Sequence, residues 1–269
     1  MKNYSLDDLL YLMRRLRDPQ DGCPWDRVQD FTTIAPHTIE ESYELADAIA
    51  SENTEHIREE LGDVLFQVIF HAQLGAELEQ FDFAGVVSAL VEKLLRRHPH
   101  VFPDGSLESR AGVQQSSTES IKKHWEEIKS AERKDKQLVG VLDDIPITLP
   151  ALTRATKMQK RAAKTGFDWP DIHGVLLKLE EETGELVAAI EQNNASEIAA
   201  EVGDILFTAV NLARHLGVEP ESALRQTNRK FEARFRFIER ALQEKGSSTQ
   251  LASVEEMDIL WDMAKEQGF

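Results

Sequence analysis

The sequence predicts an all-α protein built from two copies of one helical-bundle domain. Three observations carry that prediction: an internal repeat, apolar residues spaced three and four apart in both copies, and a scarcity of alternating runs. Residues 181–213 lie over residues 40–72 without a gap at an offset of 141, with 14 of 33 positions identical. Stacked solenoid units recur every ~20–50 residues, so so large an offset marks a duplicated domain. Leu45 and Ile49, then Ile57, Leu61, Val64, Leu65 and Val68, follow helical spacing, with Ala, Glu, Leu and Gln between them. No alternating run of Val, Ile and Thr is long enough to argue for a strand.

Taken in chain order, Thr38 stands three residues before Glu41 in "APHTIEE" and reads as the capping box of a helix start. The next turn falls at "SEN", residues 51–53, and Asp82 in "FDFAGVV" caps a further helix. Between the copies, "HPHVFPDGS", "RAGVQQSSTES" and "DDIPITLP" are rich in turn and breaker residues, around one amphipathic stretch, "IKKHWEEIKSAERK". The expected organisation is a first domain over 1–105, a connector with a short helix over 106–148, and a second domain over 149–269. In the second copy the turn centres on Asn193.

Composition narrows the function. Thirty-one basic against 48 acidic residues give a formal charge of −17, which repels nucleic acid and anionic membrane. Charged residues interrupt every apolar run well short of the ~18 residues a membrane span needs. The start, "MKNYSLDDLL", carries acids where a signal peptide has an apolar segment, and one cysteine, Cys23, allows no internal disulfide. The expectation is a cytoplasmic protein.

The acids themselves are patterned. Residues three apart share a helix face, so Glu41 and Glu44 project together, as do Glu60 and Asp63. An antiparallel hairpin turning at residue 52 sets Glu44 opposite Glu60 and Glu41 opposite Asp63. The same construction about Asn193 sets Glu185 opposite Glu201 and Glu182 opposite Asp204. Facing carboxylates repel unless a cation lies between them, and an all-oxygen donor set without cysteine favours Mg²⁺ or Mn²⁺ over zinc. A di-iron bundle would need Glu-x-x-His on two helices; Glu60 is followed at that step by Asp63 and Glu201 by Asp204.

Each copy then offers basic residues one helical turn apart, Lys93 with Arg97 and Lys230 with Arg234. On a third helix packed against the hairpin these would bind phosphate oxygens that the metal also holds. No glycine is followed by lysine, which excludes a Walker P-loop, and no Gly-rich dinucleotide fingerprint is present.

With these residues in place the sequence resembles the MazG family of nucleoside triphosphate pyrophosphohydrolases, in the all-α NTP pyrophosphatase group. The motif Glu-Glu-x-x-Glu followed by Glu-x-x-Asp appears as Glu40-Glu41-x-x-Glu44 with Glu60-x-x-Asp63, and again as Glu181-Glu182-x-x-Glu185 with Glu201-x-x-Asp204. The stretches "DGCPWDRVQDF", "RRHPHVF", "HWEEIK", "LPALTRATKMQKRAAKTGFDW" and "NLARHLG" are similar too, so the resemblance covers nearly the whole chain. It implies Mg²⁺-dependent hydrolysis of NTPs and dNTPs to the monophosphate and pyrophosphate, with broad base specificity, in a homodimer. By that likeness Glu182, Glu185, Glu201 and Asp204 hold metal and carry catalysis, Lys230 and Arg234 bind phosphate, and Trp261 stands where the family has a nucleotide-contacting tryptophan. One departure is that the family's extra Glu before Glu-x-x-Asp is kept as Glu59 but replaced by Ala200 in the second copy. The second copy is nevertheless the more basic in its surroundings, with Lys157, Lys160, Arg161, Lys164 and Lys178 before it and Arg225, Arg229, Lys230, Arg234 and Arg236 after it. A triphosphate should prefer it. The alternative is that one copy, more readily the first, binds nucleotide or metal without turnover.

Overall fold

The computed structural model describes residues 3–110, 117–135 and 140–269. Among them are eleven helices and no strand, so the all-α expectation holds. Part of the expected connector, at 111–116 and 136–139, lies outside the described residues. The chain divides into two compact units, the first ending at Ala131 and the second running from Glu132 to Phe269.

The first unit contains α1 (Leu6–Leu16), α2 (Pro24–Arg27), α3 (Phe31–Ala50), α4 (Thr54–Glu77) and α5 (Phe83–Arg97); the unit boundary falls inside α6 (Thr118–Asp135). Helix α3 starts seven residues before Thr38. Asp30 caps it by accepting from the backbone N–H groups of Thr32 and Thr33, and Thr33 completes the capping box. A capped start is worth about 1 kcal/mol, and Pro36 costs the helix only one donor near that end. Thr38 instead sits inside α3 with its hydroxyl 2.9 Å from His71 Nε2. The other two expected features hold. Glu52 takes a left-handed φ of 56° and Asn53 caps α4, while Asp82 accepts from Gly85 N at 2.7 Å to open α5.

Helices α3 and α4 form an antiparallel hairpin, and α1 and α5 pack on α4. Met13, Ile34, Ile69, Phe70 and Leu74 make the core. Arg17, nearly buried, joins α1 to α4 by donating from Nε and Nη2 to Glu77 at 2.8 and 2.7 Å, and reaches the carbonyls of Asp26 and Gln29. A buried guanidinium satisfied in this way avoids the desolvation cost of an unpaired charge.

The second unit repeats the hairpin as α8 (Ile172–Glu191) and α9 (Ala195–His215), preceded by α7 (Ala151–Ala163) and followed by α10 (Pro220–Glu244) and α11 (Val254–Glu266). Asn193 takes φ of 51° and Asn194 caps α9, placing the turn where the sequence put it. Helix α7 lies against α9; α10 touches α7 and α9 and packs chiefly on α11, around Ile238, Leu242 and Leu260. Of the apolar residues at helical spacing along the first hairpin, Leu45, Ile57 and Val64 are half-buried, whereas Leu61 and Leu65 are exposed. Among the described residues these two are 53% and 40% exposed.

Candidate active site

The α8–α9 hairpin fixes the carboxylates. Asp171 starts α8 by accepting from His173 N and Gly174 N at 2.9 and 3.2 Å, and the two-asparagine turn returns the chain antiparallel. Glu182 from α8 and Glu201 and Asp204 from α9 then offer oxygens that all lie within 4.8 Å of one another. Glu182 is buried, Glu201 half-buried and Asp204 exposed. Burial, followed by the charges of Glu185, Glu182 and Asp204, pushes the Glu201 carboxyl above its ordinary pKa. One Glu201 oxygen is buried and meets no hydrogen-bond donor.

That constellation fits a hard divalent cation on its own terms. Three converging carboxylates repel, and a buried acceptor without a donor is unfavourable unless a cation or proton supplies the missing partner. All donors are oxygen, which suits Mg²⁺ or Mn²⁺. Glu185 stands outside the three-residue cluster, though its charge is felt by Glu201.

The first repeat reproduces the arrangement. Glu41, Glu60 and Asp63 converge within 4.8 Å, and the same Glu60 oxygen is buried without a donor. Burial and then the charges of Asp63, Glu44 and Glu60 push Glu41 upward. Here Glu60 also binds His56 Nε2 at 2.9 Å, where the second repeat has Glu197. Glu44, like Glu185, lies outside the cluster. Glu59 and Ala200 are both exposed and outside it as well, so the loss of that glutamate takes nothing from the three converging acids.

In the second unit the carboxylates open onto a cavity of about 540 Å³. Glu182, Asp204 and Lys178 lie on its wall, together with Phe167, Trp169, Phe207, Asn211 and Arg214. Arg214 grips Asp168 with both terminal nitrogens, Nη1 at 2.9 Å, and His215 Nε2 lies 3.2 Å from the same carboxylate. The Arg214 hydrogen bonds hold Asp168 below its ordinary pKa. At the repeat offset the counterpart of Asn211 is Phe70, wholly buried in the core of the first unit. A phenylalanine thus fills in one copy the place that borders open space in the other.

The model of the MazG nucleotide pyrophosphohydrolase domain matches residues 29–102 and 172–236, one segment in each repeat. The chain belongs to the MazG family. It is 47% identical over 265 residues, 98% of both chains, to the nucleoside triphosphate pyrophosphohydrolase of Escherichia coli (strain K12). To the nucleoside triphosphate pyrophosphohydrolase/pyrophosphatase MazG of Thermotoga maritima it is 42% identical over 96% of this chain and 95% of that one. A nucleoside triphosphate pyrophosphohydrolase of Mycolicibacterium smegmatis is 38% identical over 60% of this chain and 47% of its own length. The family reading of the motifs therefore holds, and both acidic motifs fall inside the matched MazG segments.

Not every residue expected at the MazG site is found at the cavity. Lys178 is, with Nζ 2.9 Å from both Glu181 Oε1 and Glu182 Oε1; these bonds, Glu181 first, raise its pKa and keep it an ammonium. Lys230, Arg234 and Trp261 lie on the α10–α11 pair, outside the cavity lining of their own chain. Arg234 stacks over the Trp261 ring at 5.3 Å and donates from Nε to the Phe269 carbonyl at 2.8 Å. Lys93 and Arg97 lie on α5, packed on α4. Sequence reasoning gave no role to Gln159, Phe167, Asp168, Trp169, Asn211 or Arg214. All six stand in "LPALTRATKMQKRAAKTGFDW" and "NLARHLG", stretches whose likeness to the family was visible although spacing alone does not say that they meet.

Proposed function

We propose that this chain hydrolyses nucleoside and deoxynucleoside triphosphates to the monophosphate and pyrophosphate, with Mg²⁺ or Mn²⁺, and that the second unit is the catalytic one. The observation that carries this is the junction of the Glu182–Glu201–Asp204 cluster with an aromatic-walled cavity of nucleotide size. The names of the relatives support the same activity.

Glu182, Glu201 and Asp204 would hold the cation, whose charge would offset that of the triphosphate as pyrophosphate leaves. Lys178, an ammonium beside Glu182, binds a phosphate oxygen as a point charge. Glu185, the acid outside the cluster, takes the proton of the attacking water at a carboxylate oxygen. Phe167 and Trp169, both exposed, offer ring faces on which any base can stack, which suits broad base specificity. In the first unit Phe70 occupies the equivalent of Asn211, and this favours a first copy that binds cation or supports assembly without turnover.

A homodimer is the partner state we propose. Leu177, Val187, Ile190 and Leu206 on the second hairpin are each more than half exposed, as are Phe231 and Ile259 on α10 and α11. A second copy laid on these faces would bury them. No helix among the described residues is long and apolar enough to cross a membrane, and a nucleotide substrate with a single free cysteine fits the cytoplasm.

The experiment is pyrophosphate release from a panel of NTPs and dNTPs, with and without Mg²⁺, on the full chain and on its Glu201→Gln and Glu60→Gln variants. Metal-dependent release lost in Glu201→Gln and kept in Glu60→Gln is expected. Full activity in Glu201→Gln would remove the proposal for the second copy.

A further inference from the structure

Gln159, on α7, is 7% exposed and lines the cavity. Its Nε2 donates to the Phe207 carbonyl at 2.8 Å. A carbonyl only accepts, so this bond fixes the amide with Nε2 on that side and Oε1 on the other. That Oε1 is buried and has no donor. A buried acceptor left without a partner beside a cavity is unfavourable in the free protein, and a ligand donor that reaches it removes the deficit.

Helix α9 shows which part of the ligand that is. At about 1.5 Å of rise per residue, Phe207 lies about 4.5 Å beyond Asp204 along the axis, and Arg214 about 15 Å beyond it. Phosphates held at Asp204 and Glu182 put the sugar next along the helix, at the level of Phe207 and Gln159. The base then comes beside Asn211 and Trp169. The donors of a sugar are its hydroxyls. Of these, the 3′-hydroxyl is common to ribonucleotides and deoxyribonucleotides.

We infer that Gln159 is a specificity-determining residue that accepts a hydrogen bond at Oε1 from the 3′-hydroxyl of the bound nucleotide. The inference rests on the proposed triphosphate activity of the second unit. It explains how one site admits both sugar types while selecting a nucleotide over other polyphosphates: the atom it reads is present in both. Because a site that hydrogen-bonds a hydroxyl rejects the analogue lacking it, the sugar becomes the readout.

The test compares kcat/KM for pyrophosphate release from a deoxynucleoside triphosphate and from its 2′,3′-dideoxy counterpart, on the full chain and on Gln159→Met. The unaltered protein is expected to favour the deoxynucleotide by about tenfold or more. Gln159→Met is expected to lower the deoxynucleotide value by a similar factor and leave the dideoxynucleotide value nearly unchanged. Equal use of the two sugars by the unaltered protein overturns the inference, whether or not the variant folds. So does a variant that loses both substrates in proportion while retaining its helical circular dichroism. Release from both sugars alike leaves the proposed activity standing without the Gln159 role, whereas no release from any nucleotide overturns the activity itself and this inference with it.

Discussion

Glu60 and Glu201 hold equivalent places in the two repeats, and each keeps one carboxylate oxygen buried without a donor. The surroundings differ, since His56 binds Glu60 and Glu197 stands in its place beside Glu201. The shared deficit therefore comes from the hairpin and its acids, and a cation would relieve it at both. For Glu201 the consequence is kinetic. Glu201→Gln should lower turnover by on the order of 10³-fold, because several kcal/mol of charge stabilisation go with the metal. The metal-free melting temperature should not fall, since the change removes one of three mutually repelling charges. Circular dichroism melts beside a pyrophosphate assay check both.

Glu185 separates proton transfer from metal binding. It lies outside the converging three and is exposed, so Glu185→Gln should fold normally and keep Mn²⁺ affinity while kcat drops by ~10²–10⁴-fold. Mn²⁺ titration followed by electron paramagnetic resonance, alongside kcat, decides the matter: affinity lost together with kcat would make Glu185 a ligand instead.

Much of this site was legible in the sequence because helical geometry converts spacing into position. The turn at Asn193 follows from the repeat, and once it is placed, Glu182 must face Asp204. Two kinds of feature stayed hidden. Thr38 looks like a cap because Glu41 follows it by three, yet Asp30 and Thr33 make the start upstream and Pro36 is absorbed within the helix. Gln159, Trp169 and Arg214 meet around one cavity through the packing of α7 on α9, a long-range contact that no local period encodes.

Lys178 makes two ion pairs at 2.9 Å, with Glu181 and Glu182. If it also meets a phosphate, Lys178→Met should raise KM by about tenfold, the scale of one charge-assisted hydrogen bond, with a smaller change in kcat. The same substitution removes the cation beside buried Glu182, so the metal-free protein should melt lower and regain most of the loss on adding Mg²⁺. A KM that does not move would confine Lys178 to the support of Glu182.

Asp168 supplies a pH dependence whose sign is fixed. Arg214's hydrogen bonds, with help from His215, hold its carboxyl below the ordinary value in the folded chain. A carboxylate lowered on folding binds fewer protons folded than unfolded, so its contribution is present above the ordinary aspartate pKa and is lost as pH falls through the folded value. The acids raised by burial, Glu41 and Glu201, act in the opposite sense, so the two effects separate only by difference. Unfolding by denaturant should show the unaltered chain more stable than Asp168→Asn near neutral pH. That advantage should shrink as pH falls through and below the ordinary aspartate range, with Arg214→Ala behaving like Asp168→Asn. An advantage that stays constant across that range would mean the Asp168–Arg214 pair contributes through packing and not through charge.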